Sequence, residues 1–340
     1  MKAVGLGEPV LGLEPSPPAR SATRGLAARA LDLVDLRRGG ILLPFVALFA
    51  VLSATSSAFF TATNLLNVLD QQASTLIPAA AATLVLVSGG IDLSVGAVYA
   101  LAGVTAAHFA LVTSPGLAIV LGILVGVVVG AVNGVVTAVF RVNSLIATLA
   151  SSYVVGGIAG LATGGNIITD FNRPSFADFA RSSFLGVRAS TWVTLLAVLV
   201  LGFLLHRTTV GRYMYAAGGN AEAARLAGVR VHDVQILAFV LSGTAAALGG
   251  VIDTSRVLSA ESSSGTTLAF TVLAGVVVGG TSILGGRGAV WRSVVGVLFI
   301  ALIGNGFDLL GLNPLYEQIV LGAFLVLAVG LDAWTRLRRS

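Results

Sequence analysis

The chain contains no cysteine, and this absence excludes disulfides, thiolate metal sites and a cysteine nucleophile. Its three histidines, His108, His206 and His232, are scattered and show no spacing typical of metal ligands. Lysine is nearly absent, since Lys2 is the only one. A Walker A loop requires Gly-Lys-Ser/Thr, and Lys2 stands in no such context. The 340 residues therefore hold no P-loop with which to bind ATP.

Charge is scarce as well, because only 10% of the residues are charged, whereas a soluble domain carries about 25%. Hydrophobic residues make up 56%, the mean hydropathy is +0.96, and the apolar runs are too long for a soluble core. The 42 glycines follow no collagen-like period, and high glycine is common in closely packed membrane helices. This composition predicts an all-α polytopic protein in a lipid bilayer. The net charge of +5 is interpreted as basic residues that orient the chain, so no nucleic-acid partner is expected.

About ten apolar segments are candidates for transmembrane helices, which require about 20 mostly apolar residues each. They are residues 40–60, 73–89, 92–112, 116–140, 144–163, 190–205, 233–253, 267–284, 288–308 and 315–335. With a cytoplasmic N-terminus, ten spans leave four of the 20 basic residues on the outer side, namely Arg173, Arg181, Arg188 and Arg256. Because basic residues concentrate in cytoplasmic loops, both termini are predicted to be cytoplasmic.

The chain divides into three parts at the level of sequence. Residues 1–39 form a polar, arginine-bearing lead that is expected to be cytoplasmic and partly disordered, without the apolar region of a cleaved signal peptide. Residues 40–335 form the membrane domain, and residues 336–340 form a cytoplasmic tail. Two loops exceed ordinary length, an outer loop over 164–189 and an inner loop over 206–232, and long loops are where partners dock.

The first motif is Gly-Gly-Ile-Asp-Leu-Ser-Val-Gly at residues 89–96. The glycine pair is predicted to end one helix, and Asp92 or Ser94 to cap the start of the next. A carboxylate beside an apolar run is costly in lipid. Asp92 is therefore either a helix cap at a tight cytoplasmic turn or a direct contributor to substrate binding. A weak echo relates residues 85–98 to residues 276–290, which fits either a duplicated transporter half or chance similarity in glycine-rich sequence.

The second motif lies in the inner loop, where a short helix is predicted. Asn220 is a good N-cap, Glu222 lies in the first turn where the helix dipole favours an acidic residue, and Gly228 is a good stop. A helix of about two turns is too short to be stable alone. It therefore either rests on the chain's own membrane domain or fits into a groove of a partner.

Three stretches resemble the permease subunits of bacterial ABC importers for simple sugars, the ribose/xylose/galactose group. They are residues 89–96, the loop 217–229, and Gly279-Gly280-Thr281-Ser282 with Gly285-Gly286. The resemblance covers residues 40–335, while the arginine-rich lead is longer than the family pattern.

This resemblance implies a type II-like ABC importer permease in the bacterial inner membrane, acting as a homodimer with cytoplasmic ATPase subunits and an extracytoplasmic sugar-binding protein. The partner ATPase would bind ATP and Mg²⁺, so the permease itself is expected to need no cofactor and to catalyse no reaction. The inner-loop helix corresponds to the coupling helix that contacts the ATPase, and the outer loop is a candidate face for the binding protein. The coupling residues are then Gly218, Gly219, Asn220, Glu222, Ala224, Arg225, Leu226 and Gly228, and the family motif turn comprises Gly89, Gly90, Asp92, Leu93, Ser94 and Gly96.

Two other functions compete with ATP-driven import. A secondary transporter driven by protons or sodium would carry ionisable groups near the bilayer midplane, whereas the carboxylates here are placed near span ends and loops. A membrane-embedded enzyme would need paired acids, a histidine cluster or a metal motif, and the sequence shows none. Candidates for the substrate path, or alternatively for hydrogen bonds between helices, are Asn133, Asn143, Thr148, Ser151 and Asn305.

Overall fold

The computed structural model describes residues 40–169 and 174–313, followed by residues 315, 316, 318–320, 322, 323, 326 and 330. The predicted lead, the predicted tail and most of the predicted last span at 315–335 lie outside the described residues. The helices are α1 (Leu42–Thr55), α2 (Ala62–Val87), α3 (Val95–Val112), α4 (Pro115–Ala138), α5 (Ser144–Thr163), α6 (Pro174–Arg181), α7 (Ala189–Arg207), α8 (Thr209–Gly219), α9 (Ala221–Leu226), α10 (Val231–Val257), α11 (Leu268–Val278) and α12 (Val290–Leu309). Strands β1 (Ser183–Phe184) and β2 (Val187–Arg188) form a small antiparallel hairpin between α6 and α7.

In the described part of the chain, 6 helices are long and apolar enough to cross a membrane: α3, α4, α5, α7, α10 and α12. α2 is longer than predicted, with 26 residues that begin at Ala62. The predicted span 267–284 is wrong in its extent, because α11 covers only 11 residues. A helix of that length rises about 16 Å, roughly half the hydrocarbon thickness of a bilayer.

The most extensive helix pair in the described part of the chain is α4 and α10, which pack antiparallel through glycines. A Cβ atom added to Gly126 would collide with the carbonyl oxygen of Gly243, and one added to Gly134 would lie 2.9 Å from the Cα of Ile236. Membrane helices approach this closely only where side chains are small. The high glycine content therefore serves backbone-to-backbone packing, as the composition predicted.

The bundle has two ends, which are named here after the short helices that lie there. At the α9 end, the turn after α2, the end of α8 and the turn after α11 come into contact through Gly89, Gly218 and Gly285. At the α6 end, Arg188 before α7 pairs with Asp70 near the start of α2.

Both long loops contain elements that the sequence analysis missed. The loop 164–189 holds α6 and the hairpin, in which Ser183 pairs with Arg188. The loop 206–232 holds α8 in addition to the predicted short helix, and Thr208 caps α8 by accepting the N–H of Gly211 at 3.1 Å. Glycine and tyrosine in Thr209–Gly219 weaken the helical pattern in the sequence, so only packing against the bundle makes α8 a helix.

Candidate functional site

Three glycine-bearing turns meet at the α9 end, and they are the three stretches that carry the family resemblance. A Cβ atom on Gly285 would lie 2.7 Å from the carbonyl oxygen of Gly218 and 3.0 Å from the Cα of Gly89. The N–H of Gly286 donates to the carbonyl oxygen of Val87 at 2.9 Å. The end of α2, the end of α8 and the turn after α11 are thus joined backbone to backbone. We name this contact the glycine junction.

Two of these turns have the same geometry. At the end of α2, the N–H of Gly90 donates to Val85 O and the N–H of Gly89 to Leu86 O, both at 3.0 Å. At the end of α11, Thr281 and Gly280 donate in the same way to Val276 and Val277. Gly89 and Gly280 have φ angles of 88° and 86°, which favour glycine. The internal echo therefore corresponds to one type of helix ending used twice, and the predicted end of α2 at the glycine pair is confirmed.

The predicted short helix is α9, Ala221–Leu226, and it begins and ends as predicted. The Oδ1 of Asn220 accepts the N–H of Ala223 at 2.9 Å, and the N–H of Gly228 donates to the carbonyl oxygen of Arg225 at 3.0 Å. Glu222 pairs with Arg225 at 2.6 Å on the exposed side. The hydrogen bond and charge of that guanidinium lower the pKa of Glu222, so both groups stay charged at neutral pH.

The two faces of α9 have different surroundings. Ala224 is buried in the chain's own core together with Val87 and Val229, so this face rests on the membrane domain. Leu226 is 79% exposed, and its neighbours Glu222 and Arg225 are exposed as well. The two alternatives considered from the sequence, a helix on the membrane domain and a helix that meets a partner, thus each describe one face of α9. One face is held by the bundle, and the other is free to meet a partner.

α8 connects α9 rigidly to the bundle. Met214 and Ala217 are buried in the same core cluster that contains Ala224. The Tyr215 hydroxyl donates to the carbonyl oxygen of Gly288 at 2.7 Å, beside the glycine junction. Burial of this hydroxyl raises the pKa of Tyr215, so it stays a proton donor over the physiological range. A displacement of α9 would therefore move α8 and the junction with it.

Residues 88–94, between α2 and α3, form a non-helical segment inside the bundle. The N–H groups of Ile91 and Leu93 donate to the hydroxyls of Ser144 and Thr148, each at 3.0 Å. Irregular backbone at membrane depth is tolerated only where protein groups satisfy its hydrogen bonds. The first two turns of α5 supply those groups here. We name residues 88–94 the unwound segment.

Asp92 is the centre of a polar network within this segment. Its Oδ1 accepts the N–H of Ser94 at 2.9 Å and the Ser94 hydroxyl at 2.6 Å. Its Oδ2 accepts the hydroxyl of Ser242 in α10 at 2.8 Å. Asn133 in α4 donates to Ser94 at 2.8 Å. Among the described residues, no basic side chain forms an ion pair with Asp92.

The prediction that Asp92 caps the next helix is corrected by this geometry, because its carboxylate accepts no N–H from within α3. α3 begins at Val95, and Asp92 bonds the N–H of Ser94, which precedes the helix. Ser242, its partner, follows Val231 at the start of α10 by eleven residues, or about 16 Å along the axis. Asp92 therefore lies inside the bundle near its α9 end, since Thr148 is only the fifth residue of α5 and Asn133 is five residues from the end of α4. The sequence missed the unwound segment because it treated residues 92–112 as one continuous span.

Four of the polar candidates for a substrate path make hydrogen bonds within the protein. Asn133 and Thr148 support the unwound segment, and Asn143 caps α5. Asn305 in α12 exchanges hydrogen bonds with Asn64 in α2 at 2.9 and 3.1 Å. Contacts with other parts of the bundle, the alternative considered from the sequence, account for Asn133, Thr148 and Asn305, whereas Asn143, among the described residues, bonds only within its own helix. In the described part of the chain, no three His, Cys, Asp or Glu side chains come together as metal ligands.

Comparison with known proteins identifies the family. Residues 64–329 match the family described as the permease component of the branched-chain amino acid transport system. The chain belongs to this family of transport permeases. The permease is 40% identical to the ribose import permease protein of Bacillus subtilis (strain 168) over 294 residues, which cover 85% of this chain and 91% of that protein.

Other relatives extend this similarity. The ribose import permease protein of Escherichia coli (strain K12) is 37% identical over 295 residues, covering 86% of the permease and 92% of the relative. The L-arabinose ABC transporter permease protein of Azospirillum brasilense is 37% identical over 328 residues, covering 96% and 95%. These comparisons confirm the predicted resemblance to permeases of sugar importers. No solved structure matches the permease significantly.

The family and the apolar helices agree on where the protein resides. The permease is mostly helical where it is described, and it has 6 candidate membrane spans there. It is a multi-pass protein of the bacterial inner membrane, as predicted.

Proposed function

We propose that this permease is the membrane subunit of an ATP-driven ABC importer for a monosaccharide. The observation that carries the proposal is its similarity, over more than four fifths of its length, to permeases named for ribose and for L-arabinose import. The three stretches that suggested a sugar permease also meet in space at the glycine junction. Because the three stretches contact one another in the folded chain, it is understandable that they occur together in one sequence.

We further propose ten spans in a type II-like arrangement, with the α9 end and both termini in the cytoplasm. The distribution of basic residues supports this orientation. Arg207, Arg212, Arg225 and Arg230 cluster around α8 and α9, and cytoplasmic loops are rich in such residues. The α6 end then faces the extracytoplasmic side, where a binding protein would deliver sugar.

In this proposal two copies of the permease associate with cytoplasmic ATPase subunits, which bind ATP and Mg²⁺ and catalyse its hydrolysis. The exposed face of α9 contacts an ATPase subunit. Closure of the ATPases displaces α9, and the rigid connection through α8 passes the displacement to the glycine junction. Because the junction joins the ends of α2 and α11, movement there changes the packing of both helices. The permease alternates in this way between outward-open and inward-open states, and it is itself no enzyme.

The proposal is tested by reconstituting the permease in proteoliposomes with its ATPase and its sugar-binding protein. We expect uptake of a pentose such as D-ribose or L-arabinose that requires ATP, the ATPase and the binding protein together. A matched preparation with a Walker A lysine variant of the ATPase should assemble but transport nothing. Uptake that persists with this variant would contradict the ATP-driven mechanism.

One observation favours a second candidate, a transporter driven by an ion gradient. Asp92 is a carboxylate inside the bundle and has no cationic partner among the described residues. Ionisable groups within a membrane domain serve proton and sodium coupling in secondary transporters. Uptake by the permease alone, abolished by an ionophore, would support this candidate over the ATP-driven one.

A further inference from the structure

A polar recess opens at the α6 end, away from the glycine junction and the unwound segment. It is lined by Asn67, Asp70, Gln71, Arg181, Arg188 and Arg256. Its volume is about 500 Å³, which lies within the range of pockets that hold small molecules. A smaller cavity of about 190 Å³ adjoins it and shares Asn67 and Arg188. Four separate elements of the fold thus converge on one concave surface.

The charges that line this recess are largely compensated within the protein. Asp70 accepts a hydrogen bond from Ser190 and pairs with Arg188 at 3.6 Å. Arg256 pairs with Asp253 at 2.7 Å, one turn away on α10. The Nε of Arg181 donates to the carbonyl oxygen of Arg256 at 2.7 Å. Five charged side chains therefore leave a surplus of one positive charge, which is too little for a site built for an anion.

The hydrogen-bonding groups that remain suit a neutral ligand with several hydroxyls. Within the described residues, the side-chain amides of Asn67 and Gln71 have no hydrogen bond, and these residues lie one turn apart on α2. An amide both donates and accepts hydrogen bonds. Adjacent sugar hydroxyls, which donate and accept in turn, match this arrangement.

The two polar clusters inside the bundle differ from this recess. The polar side chains at Asp92, Asn133 and Ser242 satisfy one another, as do those of Asn64 and Asn305. The recess differs because the amides of Asn67 and Gln71 are left for a ligand. It also lies at the end of the bundle that the proposed orientation places outside.

We propose that this recess is a weak binding site for a neutral monosaccharide, occupied when sugar leaves the binding protein and before it enters the translocation path. Asn67 and Gln71 supply the hydrogen bonds, and the paired Asp70 and Arg188 form a fixed polar wall. This inference rests on the proposed import of a sugar, and it adds the place on this chain where the sugar first binds.

The absence of cysteine from the chain permits a direct test. Gln71→Cys places one thiol in the recess, and Gly116→Cys places one at the same end, where an added Cβ meets open space. The rate of labelling by a maleimide is measured on the complex with the ATPase in nanodiscs. D-ribose or L-arabinose is added, and glycine betaine at equal osmolality is the control. A sugar at about twice its dissociation constant should slow labelling of Gln71→Cys about three-fold. Labelling of Gly116→Cys should be unchanged.

The same variants distinguish a sugar site from a docking surface. If the sugar-free binding protein protects Gln71→Cys and neither sugar does, the recess docks an acidic protein surface and the inference is wrong. Absence of protection by sugars and by binding protein alike also overturns it. Uptake by the wild-type complex separates the two levels of inference. A wild type that imports no sugar contradicts the proposed function, whereas normal wild-type uptake with an unprotected Gln71→Cys contradicts the recess alone.

A second variant tests the recess through transport. Asn67→Leu combined with Gln71→Leu removes the amides without changing charge, at two exposed positions of α2. We expect the maximal uptake rate to fall about five- to ten-fold, the effect of losing one or two neutral hydrogen bonds. The concentration of loaded binding protein that gives half-maximal uptake should stay the same. A shift confined to that concentration would indicate docking and would refute the sugar site.

Discussion

Asp92 is a carboxylate held inside a bundle of apolar helices, where a charged group is costly. Three donors, the N–H and hydroxyl of Ser94 and the hydroxyl of Ser242, offset the cost of its burial. The network also ties the start of α3 to α10, while Asn133 adds a link to α4. In this geometry Asp92 mainly holds the unwound segment in place, and it does so through hydrogen bonds.

Two substitutions at Asp92 separate hydrogen bonding from charge. Asp92→Asn keeps an acceptor for Ser94, and its amide can donate to Ser242, so we expect uptake within a few-fold of wild type. Asp92→Leu leaves the Ser94 and Ser242 donors unpaired and should lower the free energy of unfolding by about 2–4 kcal/mol. Thermal unfolding in detergent and uptake in proteoliposomes measure the two effects. Loss of uptake by a stable Asp92→Asn protein would show that the charge itself is needed, as ion coupling would require.

Gly218 and Gly219 are adjacent in sequence and offer a matched pair at the glycine junction. A Cβ on Gly218 would collide with Val87 O and lie 2.8 Å from the nitrogen of Gly286, whereas a Cβ on Gly219 meets nothing within 4 Å. Gly218→Ala should separate the turns and lower stability by about 1–3 kcal/mol, the usual effect of overpacking. Gly219→Ala should be neutral or stabilising by about 0.5–1 kcal/mol, because alanine favours the helix.

Thermal unfolding and the ratio of sugar imported to ATP hydrolysed report on this pair. We expect Gly218→Ala to hydrolyse ATP with less sugar imported per ATP, since the junction connects α8 to α2. Equal behaviour of the two variants would remove the junction from the proposed coupling.

At the scale of elements, α9 is too short to hold its shape alone, and its caps explain only its two ends. Its stability comes from the buried side around Ala224 and from α8, which is anchored through Tyr215. On the opposite side, Glu222, Arg225 and Leu226 are exposed, and the described part of the bundle does not cover the Leu226 side chain. A partner that covers this side would bury the leucine and meet a charged pair at its edge.

Replacing Leu226 by aspartate tests this contact. An unpaired charge in a buried interface is unfavourable, so Leu226→Asp should weaken association with the ATPase at least about ten-fold. Leu185→Asp in the hairpin is the matched control, because both leucines are 79% exposed in the permease alone. Co-purification with the ATPase measures the effect, and thermal unfolding verifies that each variant is folded. Normal co-purification of Leu226→Asp would place the ATPase contact elsewhere.

Individual elements show what the sequence can and cannot predict here. The apolar runs and glycine stops predicted α4, α5 and α9 to within a few residues, because these features act locally. α11 was predicted too long, since its apolar composition continues into a glycine turn that only the packing defines. The bond between Asp92 and Ser242 and the meeting of the three turns depend on contacts between residues far apart in sequence. Local patterns carry no information about such contacts.

At the scale of the whole molecule, the two ends of the bundle carry different structural features. At the α9 end, glycine turns bring backbone segments into direct contact with a short exposed helix. At the α6 end, paired arginines and free amides surround a recess. The unwound segment runs from the glycine junction into the bundle and borders α4, α5 and α10. Helix α10 packs against α2, α3 and α4, so it offers a path by which movement at the first end can reach the second.

This separation requires that the two ends face opposite sides of the membrane. Single cysteines at the equally exposed positions Leu185 and Leu226 test this orientation. The chain contains no other cysteine that the reagent could label. In right-side-out vesicles, an impermeant maleimide should label Leu185→Cys at once and Leu226→Cys only after permeabilisation. Equal exposure of the two leucines means that a difference in labelling reports the barrier and not the local surroundings. Labelling of Leu226→Cys in sealed vesicles would invert the topology and place the arginines around α8 and α9 outside, against their usual distribution in bacterial membranes.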